Sequence, residues 1–283
     1  MRRSWVVMGL TILLGATSGC VTSDTLIKLK PDGSGLIVQK TLLNTEMITQ
    51  LSSMMQGFAK QIGGNEGGQK DIKMPELFSE KEARSRAAKM GEGVAFVSSQ
   101  KIAEGRMEGQ EVTYAFRDIT KLRLSEKPEP PSILGLQSSP SQNGNETTFR
   151  FSRLPNSHSQ LTVVFPPSTK NASSEGSEKK LSTTSKVPAT DQMEQAKKLL
   201  GGLRIGIAVD VQGRLVRTNS LYQEGTKVTL LEMDFAELLS NETLFQQATK
   251  IKGQDLEEAK ELLKGLKGFK INLDPELMIE FSE

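Results

Sequence analysis

The chain has 283 residues, 36% hydrophobic and 25% charged, with one cysteine, one histidine, one tryptophan and a formal net charge of +2, which is enough apolar material for one large domain or two small ones. Without Arg2 and Arg3, which sit in a leader, the 36 basic residues fall to 34 against 34 acidic ones; a neutral chain with mixed charges lacks the clustered Lys and Arg that drive binding to nucleic acid or anionic surfaces. A single histidine also excludes a His-rich metal site and two-histidine catalysis.

The opening MRRSWVVMGLTILLGATSGC places charged Arg2 and Arg3 before an apolar run from Trp5 to Leu14, too short to span a bilayer as a mature helix, and then small residues leading into Cys20. That order is a cleaved secretory signal over residues 1–19. Thr17-Ser18-Gly19-Cys20 resembles the lipobox of bacterial lipoproteins, with Thr17 where Leu is more usual. The resemblance implies cleavage before Cys20 and a diacylated cysteine as the mature N-terminus. The alternatives are an ordinary signal peptide followed by a chance cysteine, or a buried free thiol. The lipoprotein reading is favoured because the only cysteine falls where the lipobox needs it, and one unpaired thiol is otherwise odd in an exported protein. Two or three acyl chains anchor firmly, each buried methylene adding about 0.8 kcal/mol. By the same resemblance, Val21 rather than Asp after the cysteine implies an outer-membrane protein facing the periplasm. No other stretch is apolar enough to span.

Residues 62–71, 125–145 and 166–188 are poor in apolar side chains and rich in Gly, Ser, Pro and charge. They are expected to be flexible loops or linkers, since they bury too little surface to offset the entropy of ordering. Between them the elements follow in order. KLKPDGSGLIVQK (28–40) is a hairpin: Pro31 presets a turn, Asp32-Gly33 supplies positive φ, and Gly35 is placed to host a bulge. A phosphate cradle is rejected there, because a strand and not a helix N-terminus follows the glycines. Asn44 or Thr45 caps a helix on which Met47, Leu51, Met54, Met55 and Phe58 recur at helical spacing. A second helix runs from Ser79, with Glu82 completing a capping box, to Met90. Residues 93–102 and 111–119 are strands turned by Glu104-Gly105 or Glu108-Gly109.

Residues 147–155 and 160–166 form another hairpin, 191–200 a helix stopped by Gly201-Gly202, and 203–211, 213–220 and 227–235 strands. An internal echo relates Glu108-Gly109-x-x-Val112-Thr113 and Asp118 to Glu224-Gly225-x-x-Val228-Thr229 and Asp234, each strand ending in an Asp able to cap a helical turn. A helix follows over 255–266, then a closing strand over 277–281. The expected architecture is α+β: an antiparallel sheet of strand hairpins with helices packed on one face, arranged as two β-β-α-β-β units. Its parts are the signal (1–19), a first unit (20–124), a linker (125–145), a second unit (146–240) with a disordered insertion at 166–188, and a C-terminal helix and strand (241–283).

The run GIAVDVQGRLVRTNSLYQEGTKVTLLEMDF, through Gly213, Asn219, Glu224-Gly225 and Val228 to Leu230, resembles the closing half of the LppM-type lipoprotein domain. The Cys20-led opening with its early Gly-rich hairpin fits the same scheme. The resemblance implies an α/β domain implicated in lipid interaction. That family usually carries a C-terminal transmembrane helix, which this sequence does not show.

Catalytic signatures are missing: there is no Gly-Lys phosphate loop, no G-x-S-x-G elbow and no H-E-x-x-H. His158 in LPNSHSQL reads as a solvated turn residue. Asp210, Glu232 and Asp234 fall near strand ends, where they either converge as general acid and base or serve as turn and cap residues; the second is favoured. Asp32 lacks the spacing of an EF-hand calcium loop. Met47, Leu51, Met54, Met55 and Phe58 are the candidate ligand groove, lining an adaptable lipid or peptide site, or else they pack on the sheet, which is the preferred reading. The expectation is a non-enzymatic, lipid-anchored interaction domain with no cofactor, no metal and no nucleic acid, its partners being the membrane through Cys20 and an envelope protein or lipid ligand. The alternatives are an envelope hydrolase using carboxylates and a structural spacer.

Overall fold

The computed structural model of the chain describes residues 21–46, 49, 79–125, 146–166, 202–240, 268–272 and 274–283. In chain order the elements are β1 (Val21–Leu29), β2 (Gly35–Asn44), α1 (Glu80–Lys89), β3 (Ala95–Glu104), β4 (Met107–Phe116), a short 3-10 turn (Ile119–Lys121), β5 (Arg123–Ser125), β6 (Glu146–Leu154), β7 (His158–Val164), β8 (Leu203–Val211), β9 (Arg214–Thr218), β10 (Gln223–Glu224), β11 (Lys227–Asp234), α2 (Phe235–Ser240), β12 (Phe269–Ile271) and β13 (Glu276–Ser282). They form two sheets. The first has the order β10-β11-β8-β1-β2-β4-β3, with β12 also paired to β11; the second has the order β5-β6-β7-β13-β9.

This is mainly β, and it overturns the α+β expectation. The face assigned to packed helices is covered instead by the second sheet. Ile27, Leu29, Ile37, Tyr114, Phe116 and Val209 of the first sheet share one core with Phe149, Leu161, Val163, Ile279 and Phe281 of the second. Phe149 and Phe151 of β6, Leu161 and Val163 of β7, and Leu277, Ile279 and Phe281 of β13 recur at every second position and supply a sheet-wide apolar face, which packs as readily on another sheet as on a helix. The pair of self-contained units is overturned as well. β1 lies beside β8 in parallel, Val21 to Leu29 matching Leu203 to Val211, so the first sheet is mixed and takes strands from both halves of the chain.

The PDGSG corner is the turn of the β1–β2 hairpin. Gly33 adopts φ +87, Gly33 N–H donates to the Lys30 carbonyl at 3.0 Å, and Lys30 N–H donates to Ser34 at 2.9 Å. The expected bulge at Gly35 is absent, for the register continues unbroken from Leu29 opposite Gly35. Gly35 is required for another reason: a Cβ there would meet the Lys28 carbonyl and the Phe116 ring. The corner is also a seam between sheets. Ser159 Oγ donates to the Pro31 carbonyl at 2.9 Å, and Ile119 N–H donates to the Gly33 carbonyl at 2.9 Å.

The β3–β4 turn is Glu104-Gly105, with Gly105 at φ +60, and the matching β10–β11 turn has Gly225 at φ +60. Gly109 is instead inside β4, where a Cβ would fall on the Thr41 carbonyl of β2. The Asp residues of the echo behave alike. Asp118 Oδ1 accepts from Thr120 N–H at 2.9 Å, and Asp234 Oδ1 accepts from Ala236 N–H at 3.0 Å. Ser79 stands at the N-cap of α1, but its side chain makes no capping bond; Glu80 and Glu82 in the first turn complement the dipole. α1 buries Ala83 and Ala87.

Candidate functional site

Cys20 and the candidate groove residues Met47, Leu51, Met54, Met55 and Phe58 lie outside the described residues, as do the expected helices over 191–200 and 255–266 and nearly all of the three Gly/Ser-rich stretches. Their immediate neighbours are described, and these converge on one end of the first sheet. Val21 begins β1, and its N–H donates to the Gly202 carbonyl at 3.0 Å. Val21 pairs with Leu43 on one side and Leu203 on the other. At the same end Asn44 Oδ1 accepts from Glu46 N–H at 2.8 Å, the expected cap of the helical turn that precedes Met47, and Thr45 N–H donates to the Arg106 carbonyl at 3.0 Å. Asp234 N–H donates to the Gly268 carbonyl at 2.9 Å.

Among the described residues of this end, four cations lie near carboxylates. Arg106 lies 3.4 Å from Glu46, Lys40 2.5 Å from Glu104, Lys270 2.9 Å from Glu232 and Arg204 3.9 Å from the same Glu232. Asp24 sits among them on β1, beside Gly206, where any added Cβ would meet its carboxylate. Burial pushes the Asp24 carboxyl up, against the opposing pull of Arg204, Lys40 and Lys227.

Asp210, Glu232 and Asp234 do not converge. Asp210 accepts from Thr226 Oγ1 at 2.7 Å, Glu232 is engaged by Lys270, and Asp234 caps α2. Asp210 pairs across the ladder with Lys227, whereas Glu232 pairs with Gly206, four residues away along β8, or about 13 Å at strand rise. Among the described residues no group of three or more His, Cys, Asp or Glu side chains can hold a metal ion. Asp32 is spent within its own turn: its Oδ1 accepts from Ser34 N–H at 2.9 Å and from Ser34 Oγ at 2.7 Å, and these bonds hold its carboxyl below the usual value.

A cluster that the sequence reading passed over surrounds Glu280. His158 is not a solvated turn residue; it is the first residue of β7, facing Ser282 of β13. Its Nδ1 lies 2.8 Å from Glu280 Oε1, and Arg217 Nε donates to Glu280 Oε2 at 2.7 Å. Glu280 is only 8% exposed. The bond with His158, joined by that with Arg217, holds its carboxyl below the usual range, outweighing the burial that opposes it. Alternation along β13 marks Glu280 as lying on the face opposite Ile279 and Phe281, but the pairing depends on β7, β13 and β9 being neighbours. Among the described residues no helix is long and apolar enough to cross a membrane.

No family model and no curated relative matches the chain. Among solved structures, the folded domain of LppM from Mycobacterium tuberculosis, determined by NMR, is similar over 76% of this chain and 83% of that one, at 10% identity and a TM-score of 0.27. At that score the likeness carries no argument about fold or function.

Proposed function

We propose that the protein is an exported lipoprotein, anchored through an acylated Cys20 and presenting a non-catalytic two-sheet domain at the cell envelope to a protein or amphipathic ligand. The observation that supports it most is continuity. Val21, directly after the only cysteine, is already a paired residue of β1, so the expected cleavage point adjoins the first strand of the fold. The leader that precedes it, and the small residues that adjoin it, support the same reading, and Val21 supports the outer membrane as destination. The hydrolase alternative is weakened by Asp210, Glu232 and Asp234, each engaged separately. A spacer without a ligand is the remaining alternative.

Metabolic labelling with a palmitate analogue tests the anchor: label enters the wild-type chain and is lost in Cys20→Ala. Label retained in the variant would sink the reading. Native mass spectrometry of residues 21–283 recovered from an envelope extract tests the ligand; a reproducible added mass supports a binding module, and the bare chain alone favours the spacer.

A further inference from the structure

β13 comes after every other described strand, yet it lies inside the second sheet, between β7 and β9. We propose that β13 is the strand on which the whole two-sheet fold waits. Until it is in place the chain holds no stable tertiary structure; resting on the exported reading above, this keeps the chain extended behind its leader for passage through a secretory channel.

Three observations carry this. The first is strand order. Glu276 to Ser282 pair with Val164 to His158 on one side, and Ile279 to Ser282 pair with Thr218 to Arg214 on the other. β9 has no other strand partner among the described residues, so without β13 the second sheet falls into two pieces with open edges. The second is burial. Leu277, Ile279 and Phe281 are wholly buried, in one cluster with Ile27, Leu29, Ile37 and Val209 of the first sheet. Burial of three such side chains is comparable with the entire net stability of a domain. The third is polar pairing. Glu280 accepts from Arg217 Nε at 2.7 Å and lies 2.8 Å from His158 Nδ1. Beyond the β9 ladder, Asn219 continues the pairing with its side chain: Oδ1 accepts from Met278 N–H at 2.7 Å and Nδ2 donates to the Glu276 carbonyl at 3.1 Å. Thr218 Oγ1 donates to the Met278 carbonyl at 2.7 Å, and Phe165 N–H donates to the Pro275 carbonyl at 3.0 Å. Each of these groups loses its partner when β13 is out.

The first sheet does not serve as an early nucleus. β1 lies between β2 and β8, and β8 is made about 180 residues after β1, so a long loop must close before that pairing rewards it. The earlier strands β1 to β4 pair among themselves, but the face that carries Ile27, Leu29, Ile37 and Phe116 is the one the second sheet covers. From the end of β8 to the start of β13 about 65 further residues are added, which takes several seconds at synthesis rates of about 5–20 residues/s. Throughout that interval the shared core is incomplete.

The test follows folding during synthesis. Nascent chains of increasing length, leader included, are joined to a translational arrest peptide whose release reads the pulling force of folding. Release is expected to stay at baseline until β13 has cleared the ribosome exit tunnel, and then to rise in a single step. Leu221→Asp, at an exposed side chain, should keep the step and Ile279→Asp should abolish it. A step at the emergence of β4, β8 or β11, or one that survives Ile279→Asp, overturns the proposal. In the purified full chain, amides of β13, β9 and β1 are expected to exchange hydrogen at one common, global rate; faster exchange of β13 while β1 stays protected overturns it as well. Export is read separately, as loss of the leader from the full chain in cells. A single late step together with an uncleaved leader overturns the exported reading and upholds the folding order.

Discussion

His158 Nδ1 and Glu280 Oε1 lie 2.8 Å apart although 122 residues separate them in the chain. The bond joins the ends of β7 and β13, and Arg217 of β9 takes the other carboxylate oxygen. Three strands of the second sheet are thus tied by one carboxylate on the face turned away from the shared core.

That cluster sets a pH dependence. A carboxylate whose pKa is lowered in the fold stabilises the native state above its unfolded value and loses that contribution as pH falls through the folded one. Glu280→Gln is therefore expected to lower Tm at pH 7, and the difference from wild type should shrink once the pH drops below about 4. Thermal melts by circular dichroism across this range read it directly. A Tm difference as large at pH 3 as at pH 7 would contradict the assignment.

Asp24 should behave with the opposite sign. Its carboxyl is pushed up by burial, so ionisation opposes folding; the penalty is absent below the unfolded value of about 3.9 and grows as pH rises through the raised native value. Asp24→Asn is expected to raise Tm at pH 7 and to leave it unchanged near pH 3. A loss of stability at neutral pH would show that the attraction of Arg204 and Lys40 outweighs the cost of burial.

The glycines of the internal echo are expected to separate cleanly. Gly109→Ala drives a methyl into the Thr41 carbonyl of the neighbouring strand and should cost about 1–3 kcal/mol or more. Gly225→Asn at φ +60, with open space around it, should cost about 1 kcal/mol or less, since Asn tolerates the left-handed region. Urea denaturation of the two variants measures both; equal costs would mean that the β2–β4 approach at Gly109 is looser than described.

Asp118→Ala and Asp234→Ala remove equivalent caps and should each cost about 1 kcal/mol, again by urea denaturation. A neutral result at both positions would show that the turns after β4 and β11 hold without their caps.

Local chemistry carried much of the fold. Alternation in Val112, Tyr114 and Phe116 marked a strand with one buried face, and all three are buried. The PDGSG corner and the two capping Asp residues were likewise readable, because turns and caps depend on neighbours in sequence. The closing strand over 277–281 was also legible from its alternation, but its place between β7 and β9 was not. What escaped was long-range pairing. Nothing local in VTSDTLIKL and LRIGIAVDV says that these runs, about 180 residues apart, lie side by side in parallel, and without that pairing two separate units were the natural expectation. The same gap hid the Glu280 cluster, for His158 looks solvated in LPNSHSQL until β13 is placed beside it. The echo misled where it aligned Gly109 with Gly225, two glycines demanded by different physics, close strand approach in one and positive φ in the other.

The measurement that bears most directly on the central claim is the intact mass of the mature chain purified from membranes, with fragmentation of its N-terminal peptide. The expected result is a chain beginning at Cys20 and heavier by a diacylglyceryl group, with or without a further N-acyl chain, the whole added mass on that residue. A chain that starts elsewhere, or a Cys20 bearing a free thiol, would contradict the anchored account.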